Sequence, residues 1–461
     1  MGDRKSDILL AAIRDGKPMT TADKLNLIVG LSIPSILAQI TSVLMFFIDA
    51  SMVGHLGAEA SAAIGLVEST TWFFGSLTSA ASMGFSVQVA HFIGANDFQR
   101  ARQVFRHALV CTALLSLVIV GVCLLVARPL PFWLCGGADI AHDASLYFLI
   151  FGLASPFFML SNLSGAMLKC SGNMRIPSLI SVMMCVLDVA FNFLFIFVFR
   201  LGVMGAAIGT ALAIFIAACL EAYFAIFRSE MLALWRGKEP FRWVWSYVRN
   251  ALKIASPMAL QSMLMSGAQI VSTMIVAPLG NFAIAANTFA ITAESLCYMP
   301  GYGIGEAATT LVGQSMGAGR KDICRSFAHM TVAIGMAIMA LMGVLMFVFA
   351  PEMMGVLSPV SEIRQLGAQC LRIEAFAEPM FAASIVSYSV CMGAGDTLRP
   401  AIINLVSMWC VRLTLTALLA REYGLQGVWT AMAIELTFRG VMFLIRLLRG
   451  KWMEKGAIGR L

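Results

Sequence analysis

Charge is scarce in this chain. Asp, Glu, Lys and Arg make up 12% of its 461 residues, 59% are hydrophobic, and the mean hydropathy is +0.85. So few charges cannot keep the surface of a soluble globule solvated, which excludes an ordinary water-soluble fold. A CxxC pair is also missing. The eleven cysteines are scattered, mostly inside apolar runs, so zinc sites and disulfide frameworks are not expected. The five histidines (His55, His91, His107, His142 and His329) lie mostly at the ends of apolar runs, and no two have metal-ligand spacing. No nucleophile stands beside a base, so no enzyme and no cofactor is expected. Residues 1–24 lack the apolar core and small-residue cleavage site of a secretory signal and read as a retained polar segment.

What the chain does have is apolar runs of about 20 residues or more, long enough as helix to cross a hydrocarbon core of roughly 30 Å. Their continuity lacks the period of two that a membrane barrel needs, which leaves helices. Spans are predicted near 27–50, 62–92, 104–127, 145–168, 176–199, 202–227, 252–277, 283–314, 327–350, 368–392, 400–420 and 425–447. The loops then sort by charge. Arg4, Lys5, Arg14, Lys17 and Lys24 precede span 1; Arg100, Arg102 and Arg106 follow span 2; Lys169 and Arg175 follow span 4. The middle connection carries Arg228, Arg236, Lys238, Arg242, Arg249 and Lys253, and Arg320, Lys321, Arg325 and Arg399 fall on the same side. So does the basic tail (Arg439, Arg446, Arg449, Lys451, Lys455, Arg460), whereas the opposite side holds only Arg128, Arg200, Arg364 and Arg421. By the positive-inside bias both termini face the cytoplasm. The same bias accounts for the net charge of +7 without a nucleic-acid partner.

Landmarks recur at a shift of 223 residues. Pro34 matches Pro257, Gly57 matches Gly280, Gly94 matches Gly317, Pro156 matches Pro379, Gly172 matches Gly395, and Pro177 matches Pro400. Near the end the shift slips to 222, as Gly202 and Gly205 against Gly424 and Gly427. Three in-register proline pairs among 14 prolines point to duplication of a six-span unit. Six is even, so both copies insert with one orientation, the parallel repeat of many carriers. The expected organisation is an N-terminal segment (1–26), a first lobe (27–227), an interfacial linker (228–251), a second lobe (252–447) and a tail (448–461). Trp235, Trp243 and Trp245 suit the linker to the membrane interface.

Charged groups inside a span cost roughly 2.5–3.5 kcal/mol each, so each needs a partner, a wet cavity or a task. Asp49 ends a polar face of span 1 that includes Gln39 and Ser42. Asp188 and Asn192 are four apart on span 5 and face the same way. Burial disfavours a charged carboxylate, so a carboxyl enclosed by such neighbours can load and release a proton near neutral pH. With Ser and Asn oxygens around it, the same group can bind sodium. The alternatives are a solvated acid at a helix end for Asp49 and a structural hydrogen bond for Asp188. The second half is not a chemical copy: Ser272 stands where the shift places a partner for Asp49, and Ser262, Ser266, Gln269 and Thr273 form a neutral stripe on span 7. Glu294 on span 8 is either that half's coupling acid or one member of an interhelical pair. Arg412 is expected to be neutralised by Glu374 or Glu378, and Glu435 to pair with Arg439. Asn162 on span 4 completes the candidate coupling and substrate set. The 31 Met and 31 Phe suit either a soft cleft wall or lipid-facing surface.

Several strings resemble the multidrug and toxic compound extrusion (MATE) family over essentially the whole chain. They are Asp49-Ala-Ser-Met-Val-Gly54, Met299-Pro-Gly-Tyr-Gly303, Leu311-Val-Gly-Gln-Ser-Met-Gly-Ala-Gly319 and Gly393-Ala-Gly-Asp-Thr397, the last mirrored by Cys170-Ser-Gly-Asn173. The resemblance implies an all-α membrane protein of twelve transmembrane helices, two parallel six-helix repeats in a V-shaped fold. It implies efflux of cationic or amphipathic compounds by proton or sodium antiport, from a monomer in the inner membrane of a prokaryote. In that family the span 1 aspartate is a coupling residue, and Asp49 occupies its motif position. Prokaryotic members often have Asn then Asp on span 5; here the order is Asp188 then Asn192. Met265 stands where NorM-like members carry an acid on span 7, so the chain is more similar to the DinF-like branch. The competing reading is a lipid-linked oligosaccharide flippase of the related superfamily. It would need a cationic cleft for phosphates, whereas Arg372 and Arg412 are the basic residues found well inside spans.

Overall fold

The structure, a computed structural model, describes residues 2–454, with side chains from Lys5 onward. Lys455 and Arg460 of the tail and the side chain of Arg4 lie outside the described residues. Among these residues all regular elements are helices: α1 (Gly2–Arg14), α2 (Thr21–Gly54), α3 (Ala58–Gly94), α4 (Phe98–Val126), α5 (Leu130–Trp133), α6 (Ala138–Cys170), α7 (Arg175–Phe193) and α8 (Val203–Tyr223). The second half continues with α9 (Trp245–Val276), α10 (Asn281–Gly317), α11 (Lys321–Leu357), α12 (Ser361–Ala375), α13 (Glu378–Gly393), α14 (Leu398–Val406), α15 (Leu413–Tyr423) and α16 (Leu425–Arg449). Three π-helical stretches, Leu194–Val198, Phe224–Arg228 and Ser407–Arg412, extend α7, extend α8 and join α14 to α15.

Eight helical stretches are long and apolar enough to cross a membrane, and α12 with α13 forms a ninth bent by 60°. The other three of the twelve spans are α3, α10 and α16, of 37, 37 and 25 residues. At about 1.5 Å per residue each still exceeds a bilayer core. They are more polar because their polar groups turn inward: Gln88 and His91 on α3, Glu294 and Gln314 on α10, and Glu435 and Arg439 on α16 are buried.

The duplication is visible in the element boundaries. α3 and α10 keep the 223-residue shift at both ends, as do α6 and the α12–α13 pair, while α8 and α16 start 222 apart. The turns repeat too. Gly57 and Gly280 have φ of 112° and 103°, and Gly202 and Gly424 both have 62°. Glycine is suited to both pairs because side chains disfavour positive φ. Pro156 lies inside a continuous α6, whereas the chain breaks two residues before its counterpart Pro379; nothing in the two segments explains the difference.

The chain forms two compact units, Met1–Ile40 with Ser256–Leu461, and Thr41–Ala255. Each boundary falls within a helix, α2 or α9, rather than in the 228–251 connection. In the Thr41–Ala255 unit one core gathers Ala63, Val67, Ile119, Phe148 and Met159, and a second gathers Phe92, Phe105, Leu163, Leu168 and Leu232. In the other unit one core is built on Met346, Met354, Leu371 and Trp429, and another on Ile304, Val332, Val386 and Trp452. The N-terminal segment belongs to this second unit. Leu10 and Ile13 of α1 are buried, and Arg320 Nη1 donates to the carbonyls of Ala12 (3.2 Å) and Lys17 (2.8 Å). Thr20 and Asp23 form a reciprocal cap at the start of α2, which holds the Asp23 carboxyl below the usual carboxylate range.

Candidate functional site

Near the end of α2, Asp49 faces α7. Asn192 Nδ2 donates to Asp49 Oδ1 at 3.1 Å and to Asp188 Oδ2 at 3.4 Å, so one amide bridges two carboxyl groups. The carboxyls lie within hydrogen-bonding reach of each other, and the Thr210 hydroxyl of α8 stands beside Asp188. Asp188 and Asn192 are 1% and 3% exposed, and Asp49 is partly buried. Asp188 Oδ1 and Asn192 Oδ1 are enclosed and accept no hydrogen bond among the described residues. Buried oxygens normally find a donor. Here acceptors outnumber donors among the described residues.

Helix geometry builds this arrangement. The four-residue spacing stacks Asp188 and Asn192 on one face of α7. Gly209 lets α8 approach that face: a Cβ there would run into Asn192 Oδ1 and reach its backbone N at 3.0 Å. Gly209→Ala is therefore expected to push Asn192 away from Asp49, at a cost of about 1–3 kcal/mol in stability from overpacking. Thermal melting read beside transport checks it; an unchanged melt with unchanged transport would contradict the packing described.

The other expected residues are spread more widely. Ser42 lies two turns before Asp49 on α2, with its hydroxyl at the Cys185 thiol of α7. Gln39 Nε2 instead donates to Glu306 Oε1 of α10 at 3.2 Å, within the other compact unit. Asn162 donates to Thr78 Oγ1 at 3.2 Å, next to Ser161, which donates to the buried Glu221. On α9, Gln269 is exposed, and the stripe beside it satisfies itself: Ser266 donates to the Ser262 carbonyl and Thr273 to that of Gln269. Tyr147 and Thr210 near the two aspartates were not singled out from the sequence. No motif marks either; only the shared enclosure shows them.

Glu294 sits in a second acidic enclosure. Glu294 is 4% exposed, and Glu374, Glu378 and Glu435 are fully buried. Glu294 and Glu378 lie within electrostatic reach of Glu374. The expected Glu435–Arg439 pair is present, with Arg439 Nε and Nη2 at 2.8 and 2.7 Å from Glu435 Oε1. Arg412 lies within electrostatic reach of Glu374, and also of Glu435 and Glu294, but makes no hydrogen bond to Glu374 or Glu378. Its Nη2 points to Met432 Sδ at 2.8 Å, and the four carboxyl oxygens of Glu374 and Glu378 have no hydrogen-bond partner among the described residues. The break between α12 and α13 separates Glu374 from Glu378, so their spacing of four does not put them on one continuous helix face toward Arg412.

Comparison with known proteins adds the family context. The MatE family profile matches the chain twice, over residues 34–194 and 257–418. A probable multidrug resistance protein NorM of Thermotoga maritima is 26% identical over 444 residues, 94% of each chain. A probable multidrug resistance protein NorM of Neisseria meningitidis serogroup B is 25% identical over 442 residues, covering 91% of this chain and 92% of its own. Among solved structures, the outward-facing conformation of a multidrug resistance MATE family transporter of the MOP superfamily superposes with a TM-score of 0.88 at 21% identity, covering 93% and 96% of the two chains.

Proposed function

Because the chain belongs to the MatE family of multi-pass membrane transporters, we propose that it exports cationic or amphipathic compounds by antiport, with a proton or sodium ion loading at Asp49 and Asp188. One observation carries this reading: two carboxyl groups and an amide oxygen converge with too few donors to satisfy them. A proton shared between the carboxyls removes charge and weakens the hold on a cationic compound. Sodium is the other occupant of the same chemistry, since hard cations take carboxylate and carbonyl oxygens. An ion shifts the balance between inward- and outward-open states only by its different affinity for each. The proposed cycle therefore has the ion bind from outside as the compound leaves, and depart inward to reset the pair.

In this reading the protein is a monomer in a prokaryotic plasma membrane with both termini cytoplasmic, as the asymmetry of basic loop residues supports. Glu294, with Glu374 and Glu378, gives the second half an ionisable enclosure of its own. The paired carboxyls of Asp49 and Asp188 disfavour the flippase alternative, whose phosphate-bearing cargo would meet carboxylates there.

Purified protein reconstituted into vesicles with ethidium provides the test, with a proton or a sodium gradient imposed separately. One gradient is expected to drive ethidium across the membrane and the other to have little effect. Ethidium that responds to neither would overturn the antiport reading.

A further inference from the structure

On α4, Val110, Leu114 and Leu117 are 39%, 57% and 65% exposed, an apolar stripe at helical spacing. Arg102 and Arg106 continue that face at four-residue steps to the start of the helix. A helix face that is bare and apolar along its length and cationic at its end matches the passage from acyl chains to headgroups. The stretch 230–239 folds over the cationic end. Arg102 Nη2 donates to the Glu230 carbonyl at 3.1 Å, and Arg236 Nη1 to the same oxygen at 3.5 Å. Arg106 donates to the carbonyls of Leu234 (2.9 Å) and Glu239 (3.0 Å).

Three guanidinium groups are thus gathered on backbone carbonyls, and among the described residues none of the three has a carboxylate partner. Burial, and then the charges of Arg236 and Arg106, push the Arg102 guanidinium below the usual arginine range. Like charges held together call for an anion. Beside them Trp235 is 66% exposed with Arg236 over its ring at 5.1 Å, and Trp245 is 71% exposed. Exposed indoles next to arginines are typical of the membrane–water interface.

We propose that Arg102, Arg106 and Arg236, flanked by Trp235, hold the phosphodiester headgroup of an anionic phospholipid whose acyl chains lie along the bare face of α4. The site is separate from the carboxyl pair and does not depend on the transport reading.

The test is native mass spectrometry of the purified full chain, offered phosphatidylglycerol or phosphatidylcholine with matched acyl chains. Wild-type protein is expected to retain phosphatidylglycerol preferentially. In R102Q/R106Q/R236Q the preference should fall by about fivefold for each charge removed. R102K/R106K/R236K should keep most of it, and neutralising Lys321, Arg399 and Arg449 instead should leave it intact. Equal retention of both lipids by the wild type would overturn the proposal, and that comparison needs no variant to fold. An equal loss in the Lys321/Arg399/Arg449 variant would overturn it as general surface charge. Displacement by millimolar inorganic phosphate would reassign the cluster to a free anion.

Discussion

Asp49→Asn is expected to reduce gradient-driven export to the level of vesicles without protein, while the variant still inserts and melts as the wild type does. The amide keeps the size of the side chain and can still accept from Asn192, whose Nδ2 lies 3.1 Å from Asp49 Oδ1. What it loses is the ability to change charge, the one property that the proposed antiport requires of this position. Asp49 is only partly buried, so no large packing penalty accompanies the change. Asp188→Asn removes the other carboxyl and should also block coupling. The exchanged variant Asp188→Asn/Asn192→Asp keeps one acid on the α7 face but moves it by a turn. If the pair works as a unit, this double variant retains partial transport. Export by Asp49→Asn at the wild-type rate would remove the carboxyl pair from the mechanism.

Arg439→Met is expected to produce the largest loss of stability. The guanidinium reaches Glu435 Oε1 through both Nε and Nη2, at 2.8 and 2.7 Å, and the Glu435 side chain is fully enclosed. Ser407 of the π-helical stretch also donates to Glu435, so the acid ties α16 to the middle of the preceding span. Removing that cation breaks a buried ion pair and leaves Glu435 with Arg412 alone in electrostatic reach, which costs up to about 3–5 kcal/mol. At that size the melting midpoint should fall by roughly 3–5 °C. Changing both partners, as Glu435→Gln/Arg439→Met, should recover part of the loss because the carboxylate is removed together with its bonded cation. A single variant that melts with the wild type would show that the pair contributes nothing.

Much of the architecture could be read along the chain. Run length located the spans, and prolines and glycines in register exposed the duplication that the helix boundaries repeat almost residue for residue. The helical N-terminal segment was not anticipated, because its few apolar residues gain their meaning only when Leu10 and Ile13 are covered. The bend between α12 and α13 was equally hidden, since Pro156 and Pro379 look alike in sequence. At the site, Asp188 and Asn192 were legible as one face, and Asp49 as the end of another. Gln39 and Asp49 were read as one stripe on span 1, yet Gln39 bonds to Glu306 and Asp49 to Asn192.

The sequence by itself determined the membrane class, the twelve segments, the repeat and the face shared by Asp188 and Asn192. All of these follow from length and period, which are properties of a single stretch of chain. Only the tertiary structure decided that Asn192 bridges Asp188 to an aspartate 143 residues away, that Gly209 lets α8 close on it, and that Arg412 directs its Nη2 to Met432 while Glu435, Glu374 and Glu294 lie within its electrostatic reach. The rotation and tilt of each helix against its neighbours set those contacts. Side-chain packing along entire helices fixes that rotation and tilt, so no short motif encodes it.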